Sequence, residues 1–214
     1  MLLSLFAFVA MSDHAAVLEH LRATHADFAP REACSVTIRL AEDKEGEDEP
    51  DTVWQFDAAT GGWTMLEPAD SAGTSGQGTP PEDRYLEAVA LLPSAWEPAG
   101  REDGQYAFTT TSVAAGGAMM GDDDISERMN GRMLVDASGD APFVRHTEVT
   151  LKKPFRMRMV ARVRDFSVVA DYAMVEGRGP SATGRVSVFD IMALGGQRGG
   201  VFTQTFSGYD CSTL

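Results

Sequence analysis

The densest chemistry in the chain lies between Lys152 and Arg164. Lys152 and Lys153 precede the run Phe155-Arg156-Met157-Arg158-Met159-Val160-Ala161-Arg162-Val163-Arg164. Apolar and cationic side chains alternate there with period two, which predicts a strand. Phe155, Met157, Met159, Ala161 and Val163 point one way; Arg156, Arg158, Arg162 and Arg164 point the other. Same-face neighbours stand about 6.6 Å apart, so the guanidiniums form a stripe that Lys152 and Lys153 extend. Such a stripe suits an anionic headgroup or an acidic partner surface. It equally suits a solvated outer face paired with acids on adjacent strands. The thioethers behind it, Met157 and Met159, would join Met129, Met133 and Val135 from an earlier strand. Methionine fills irregular apolar space and adapts to variable ligands, so this face is either a dry core or a cavity wall.

Other reactive residues are sparse. Cys34 and Cys211 form no CxxC pair and have no neighbouring histidine ligand, which excludes zinc and thioredoxin-like sites. They are either a disulfide, as export would allow, or two unpaired thiols. His14, His20 and His25 are not spaced four apart, so they do not share a helix face as a ligand pair would. The methionines are too dispersed for a copper site. Asp122-Asp123-Asp124 lacks the alternating spacing of a calcium loop. No GxSxG, HExxH or GxxxxGK[ST] motif is present. The reading is a protein without metal, cofactor or catalytic residues, hence not an enzyme.

The 214 residues carry 18 Lys and Arg against 32 Asp and Glu, a net charge of −14. Phosphate neutralisation needs a basic surface, so nucleic-acid binding is excluded. The length suits one domain with its own core. Met1–Met11 is almost wholly apolar, too short to span a bilayer, and of the length of a signal-peptide core. It reads as a leader preceding a single domain over residues 12–214; the alternative is the buried start of a strand or helix. The chain is not expected to be an integral membrane protein.

Beyond the leader, Ser12–Phe28 has helical spacing, with Ser12 as N-cap and Pro30 as the stop. Then the period changes to two. Strands are expected at Val36–Leu40, Thr52–Asp57 and Trp63–Glu67, the last two joined by a Gly61-Gly62 hairpin turn. Glu42–Asp51 is an acidic loop and Pro68–Pro80 a flexible one. A second helix is expected over Pro81–Leu92. Further strands follow at Gln105–Thr111, Glu127–Asp136, Phe143–Leu151, Phe155–Asp165, Phe166–Glu176, Gly184–Leu194 and Val201–Tyr209, with a mobile loop at Ser112–Ser126.

This order of elements resembles the outer-membrane lipoprotein carrier and sorting fold (LolA/LolB-like). The resemblance rests on the hairpin Val53–Leu66 and on the succession from Gly131-Arg132-Met133-Leu134-Val135-Asp136 through a small turn and a strand to Lys153-Pro154-Phe155. It extends as a pattern over Ser12–Cys211; the long loops at Pro68–Pro80 and Ser112–Ser126 depart from it. It implies a mainly β (α+β) fold, one curved antiparallel sheet forming an unclosed barrel, with two helices over the concave face. It implies a periplasmic, non-enzymatic protein that holds an acyl chain, lipid or lipoprotein moiety. The cavity would be lined by Val36, Ile38, Leu40, Trp54, Phe56, Trp63, Met65, Met133, Val135, Phe155, Met157 and Met159. Lys152, Lys153, Arg156, Arg158, Arg162 and Arg164 would face an envelope partner. The alternative is an exported interaction module with a packed core and no small-molecule ligand.

Overall fold

Period-two alternation governs most of the chain, and strands dominate accordingly. The computed structural model describes residues 3–27, 34–43, 50–70, 73–77, 82–157, 161–193 and 195–211. Helix α1 (Leu3–His25) precedes β1 (Ser35–Asp43), β2 (Thr52–Asp57), β3 (Gly62–Glu67) and β4 (Ser75–Gln77). Helix α2 (Tyr85–Leu91) leads to β5 (Glu97–Glu102), β6 (Gln105–Thr110), β7 (Met119–Met120), β8 (Asp123–Asp124) and a 3₁₀ turn, Ser126–Arg128. The chain ends with β9 (Met129–Asp136), β10 (Phe143–Leu151), β11 (Phe155–Met157), β12 (Ala161–Val175), β13 (Gly179–Ala193) and β14 (Gly196–Asp210). Twelve strands belong to one antiparallel sheet whose order runs from β4 to β5 without closing into a barrel; β7 and β8 pair separately. The fold class is therefore the expected one: mainly β, antiparallel and open, with two helices. Among the described residues no helix is long and apolar enough to cross a membrane.

Several boundaries differ from expectation. Helix α1 begins at Leu3, so Ser12 lies inside it rather than at its N-terminus. Its apolar first turns carry no breaker, and helix propagates through them. Phe28, placed at the helix end, lies outside the described residues, as do 44–49 of the acidic loop. Helix α2 starts at Tyr85 rather than Pro81, where the Asp83 carboxylate accepts the Tyr85 N–H at 3.2 Å. Strands β4, β5, β7 and β8 were not anticipated. Their Gly-, Pro- and Asp-rich sequences read as loops, and cross-strand pairing overrides that local preference. The Phe155–Asp165 strand is not one strand. It folds back so that β11 pairs with the start of β12, and β12 continues unbroken through Val175.

The chain divides into two compact units, Met1–Ala29 with Leu86–Val149, and Pro30–Tyr85 with Thr150–Leu214. In the first unit β6 lies between β5 and β9. Its core buries Phe108, Met129, Met133, Val135 and Val144 fully, each at 0% exposure. Helix α1 is tied down by polar contacts. Arg22 donates to the carbonyls of Leu92 (3.0 Å) and Ser94 (2.7 Å), and His14 Nε2 to that of Gly100 (2.7 Å). The His14 ring stands edge-on to Tyr106 and Phe108, with centroids 5.0 and 5.5 Å away. Gly131 of β9 lies opposite Thr110, where a Cβ would come within 2.9 Å of Thr110 Cγ2 and 3.0 Å of Trp96 Cη2. The segment after Thr110 is knotted by Asp124, whose carboxylate accepts from the Ser126 hydroxyl (2.5 Å) and from the N–H groups of Ser126 and Gly116 (2.9 Å each).

In the second unit the strand order is β4-β3-β2-β1-β14-β13-β12, with β11 on β12. The β2–β3 turn is held by Asp57, which accepts from Ala59 N–H and the Thr60 hydroxyl at 2.9 Å. Gly61 follows at φ +63°, a left-handed conformation that suits glycine. Cys34 and Cys211 form a disulfide joining the start of β1 to the end of β14.

Two outcomes are expected. Gly131→Val should lower unfolding free energy by about 1–3 kcal/mol in urea titration, because Trp96 and Thr110 already fill the space. The Ser126 hydroxyl, with the Ser126 and Gly116 amides, holds the Asp124 carboxyl below the ordinary aspartate range. Its contribution is thus present above that range and lost as pH falls through the depressed value. The protection factors of the Gly116 and Ser126 amides, exchange relative to an unstructured amide at the same pH, should fall over that acidic interval and should be low throughout in Asp124→Ala.

Candidate functional site

Cross-strand register assembles one apolar face in the second unit. Val36 lies opposite Phe56, and Phe56 opposite Trp63; Ile38 lies opposite Trp54, and Trp54 opposite Met65. Directly paired residues share a face, so these six form two parallel rows, with Leu40 two residues beyond Ile38. The rings of Phe56 and Trp63 meet at 5.1 Å, tilted by 55°. Ile38 also pairs with Phe206, which carries the same face onto β14. At the other end Phe155 lies opposite Val163, and Val163 opposite Ile191. Met157 lies opposite Ala161 on the same side.

The face is not uniformly covered. Val36, Ile38 and Phe56 are buried, whereas Leu40, Trp54, Trp63, Met65, Phe155 and Met157 are half-buried. Met133 and Val135, grouped with them by sequence, belong to the first unit and are fully buried in its core. Met159 lies outside the described residues. Three aromatic residues not anticipated complete the face. Phe166 pairs with Phe189, and Phe189 stacks on Phe202 at 5.4 Å, both half-buried. Their strands mix polar and apolar residues on both sides, as in Arg185-Val186-Ser187-Val188-Phe189-Asp190, so alternation alone gave no signal. The polar residues of this face include Arg185 and Gln204, direct cross-strand partners, and Ser187, whose hydroxyl accepts from Arg185 Nη1 at 2.5 Å. Gln204 Oε1 is buried and accepts no hydrogen bond among the described residues.

Beside Trp63 the surface opens into a cleft of about 380 Å³ between the β2–β3 turn and β4, walled by Asp57, Thr60, Thr64 and Gln77. Its size is that of a small-molecule site, but its walls are polar and its Asp57 oxygens are engaged in the turn.

The basic residues occupy the opposite side of β11 and β12. Arg156 and Arg162 are exposed and lie directly opposite each other. Arg164 is exposed at the β-bulge between Val163 and Asp165 and donates to Gln197 Oε1 at 3.4 Å. Lys152 and Lys153 are exposed in the turn before β11, and Arg158 lies outside the described residues. The fold-back preserves residue parity, so the cationic and apolar sides separate as alternation required, although the stripe is a facing pair rather than a line.

A second polar constellation surrounds the disulfide. Arg178, in the turn between β12 and β13, reaches Asp83 at 3.8 Å, and both side chains are nearly buried, at 8% and 4% exposure. Its Nη1 donates to Cys34 Sγ at 3.4 Å, and its guanidinium lies 5.8 Å from the Tyr209 ring centroid. Tyr85 and Tyr172, both fully buried, meet edge to face at 5.2 Å nearby in sequence to Asp83 and Arg178 respectively. The space enclosed there is about 10 Å³, at the limit for one water, so the cluster is a structural staple. The sequence showed Arg178 only as part of a Gly-Arg-Gly-Pro turn. Among the described residues no cluster of histidine, cysteine or acidic side chains is arranged to hold a metal ion.

No family model matches the chain, and no curated protein sequence does. Among solved structures, a LolA superfamily protein from Nitrosomonas europaea is similar at 12% identity and a TM-score of 0.35, over 90% of this chain and 91% of that one.

Arg178→Ala would leave the Asp83 carboxylate buried without its guanidinium, a change that costs about 3 kcal/mol or more. The variant should unfold at lower urea concentration, and Asp83→Asn combined with Arg178→Met should recover much of the loss.

Proposed function

We propose that the protein is a non-enzymatic binding protein of the Gram-negative periplasm that holds an acyl chain, or a lipid or lipoprotein moiety bearing one, against the apolar face of its second unit. Met1–Met11 would be the export leader and residues 12–214 the mature chain. The observation that carries the reading is uneven burial. The first unit buries Phe108, Met129, Met133, Val135 and Val144 completely, whereas the second aligns Leu40, Trp54, Trp63, Met65, Phe155 and Met157 on one face and leaves each half-buried. Ordered apolar rows without full cover are what an apolar ligand requires. Arg185 and Gln204 would orient the ligand's polar end. Met133, Val135 and Met159 are not needed by this reading.

Burial of each methylene is worth about 0.8 kcal/mol, so two added methylenes should tighten binding roughly tenfold until the face is filled. The test is native mass spectrometry of protein purified from the periplasm without detergent, with organic extraction of anything bound. A co-purifying lipid or acylated peptide is expected. Fluorescent fatty acid should bind Met65→Lys and Trp54→Glu at least tenfold more weakly, with circular dichroism unchanged. A mass that stays ligand-free after incubation with phospholipid and acylated peptide would sink the proposal in favour of a packed interaction module.

A further inference from the structure

The chain supplies almost two carboxylates per cation, 32 against 18, and several of its other arginines pair with them. Arg39 pairs with Asp51 and Glu67, Arg132 with Glu102, Arg84 with Glu82, and Arg178 with Asp83. Arg156 and Arg162 do not. They face each other across β11 and β12, both exposed, and among the described residues neither makes a hydrogen bond or ion pair. Like charges directly opposite on a sheet repel, and an acid at either position would relieve the pair. The nearest acids in register, Asp165 and Asp190, lie opposite each other rather than opposite an arginine. The arrangement leaves two exposed guanidiniums side by side and open to a counter-charge from outside.

Two guanidiniums on facing strands stand about 5 Å apart at Cβ, a spacing that lets both donate to the oxygens of one phosphodiester. Exposed Lys153 and Arg164 flank them. On the reverse of the same two strands lie Phe155, Met157, Ala161 and Val163. A ribbon cationic on one side and apolar on the other fits the boundary between headgroups and hydrocarbon, whereas an acidic peptide would use only the cations.

We propose that the β11–β12 ribbon, through Arg156 and Arg162, docks the protein on an anionic phospholipid surface. Its place beside the apolar face gives it a use in loading or unloading an acyl ligand; that use rests on the proposed function, but docking itself does not.

The test is flotation of the full chain with vesicles of phosphatidylcholine alone or with a third phosphatidylglycerol. A chain of charge −14 is repelled by anionic vesicles unless a local patch overrides the net field. Binding is expected to the phosphatidylglycerol vesicles only, and to vanish at about 0.5 M salt, where screening shortens the reach of the cations. Arg156→Glu should bind at least fivefold more weakly while its melting temperature stays level or rises, because a carboxylate now faces Arg162. Arg156→Glu with Arg162→Glu should abolish binding, and Arg39→Glu, an equal change of charge elsewhere, should leave it intact. Equal binding to both vesicle types, or wild-type binding by the double variant, would overturn the proposal. Fatty-acid binding is read in parallel: a protein that docks but holds no fatty acid refutes the carrier reading alone, and one that holds fatty acid but does not dock refutes this one alone.

Discussion

Antiparallel register around β1 is the constraint on which the second unit depends. With a side-chain period of two, a slip of one residue between β1 and β2 would send Trp54 and Phe56 to the side of Arg39 and Thr37. The Ala58 N–H donates to Ser35 Oγ at 3.0 Å and ties the start of β1 to the end of β2, and two further devices hold the strands on either side. The Asp57-centred turn fixes how β3 returns on β2, because Gly61 alone takes the left-handed conformation there without strain. The Cys34–Cys211 disulfide anchors β1 to β14 across 177 residues of sequence. A loop that long corresponds to about 5 kcal/mol in the chain-entropy model. Both devices act at the ends of strands and leave the middle of the face free of covalent ties.

Charge is distributed by the same logic. Arg178 and Asp83 are taken almost out of water beside the disulfide, where a lone charge would be costly. Arg39, Asp51 and Glu67 remain about half exposed, and such a network contributes little to stability. The buried pair therefore governs where the β12–β13 turn and the segment before α2 settle, while the surface pairs mainly neutralise repulsion in an acidic chain.

Much of this was legible in sequence because alternation survives errors of topology. Phe155–Arg164 was read as one strand and is a fold-back, yet its two sides separate as expected. Partners in that hairpin have residue numbers of equal parity, so Phe155 and Val163, or Arg156 and Arg162, stay together in either arrangement. The hairpin Thr52–Glu67 and the strand Phe143–Leu151 were legible for the simpler reason that turn residues bracket clean runs. Contacts set by long-range register were not. Phe166, Phe189 and Phe202 gather only because β12, β13 and β14 align, and Val186 and Val188 on the other side blur the pattern. Met133 and Val135 fall in the first unit and Met157 in the second, and equal alternation cannot say which unit a strand joins.

The half-buried face is also an energetic argument. Complete burial of a large apolar side chain is worth about 1.5–3 kcal/mol, and a domain's net stability is only about 5–15 kcal/mol. Leaving six such residues half-covered forgoes an amount comparable to that whole margin. Poor packing ability is no explanation, since the same chain drives Phe108, Met133 and Val135 to complete burial in its first unit. Nor is a dearth of apolar residues, since Phe166, Phe189 and Phe202 are present and half-covered too. The unit tolerates the loss because its stability rests on long strand ladders, a disulfide and a buried ion pair at the strand ends. On the proposed function that free energy is recovered when an apolar ligand covers the face, and it then appears as binding affinity rather than folding stability.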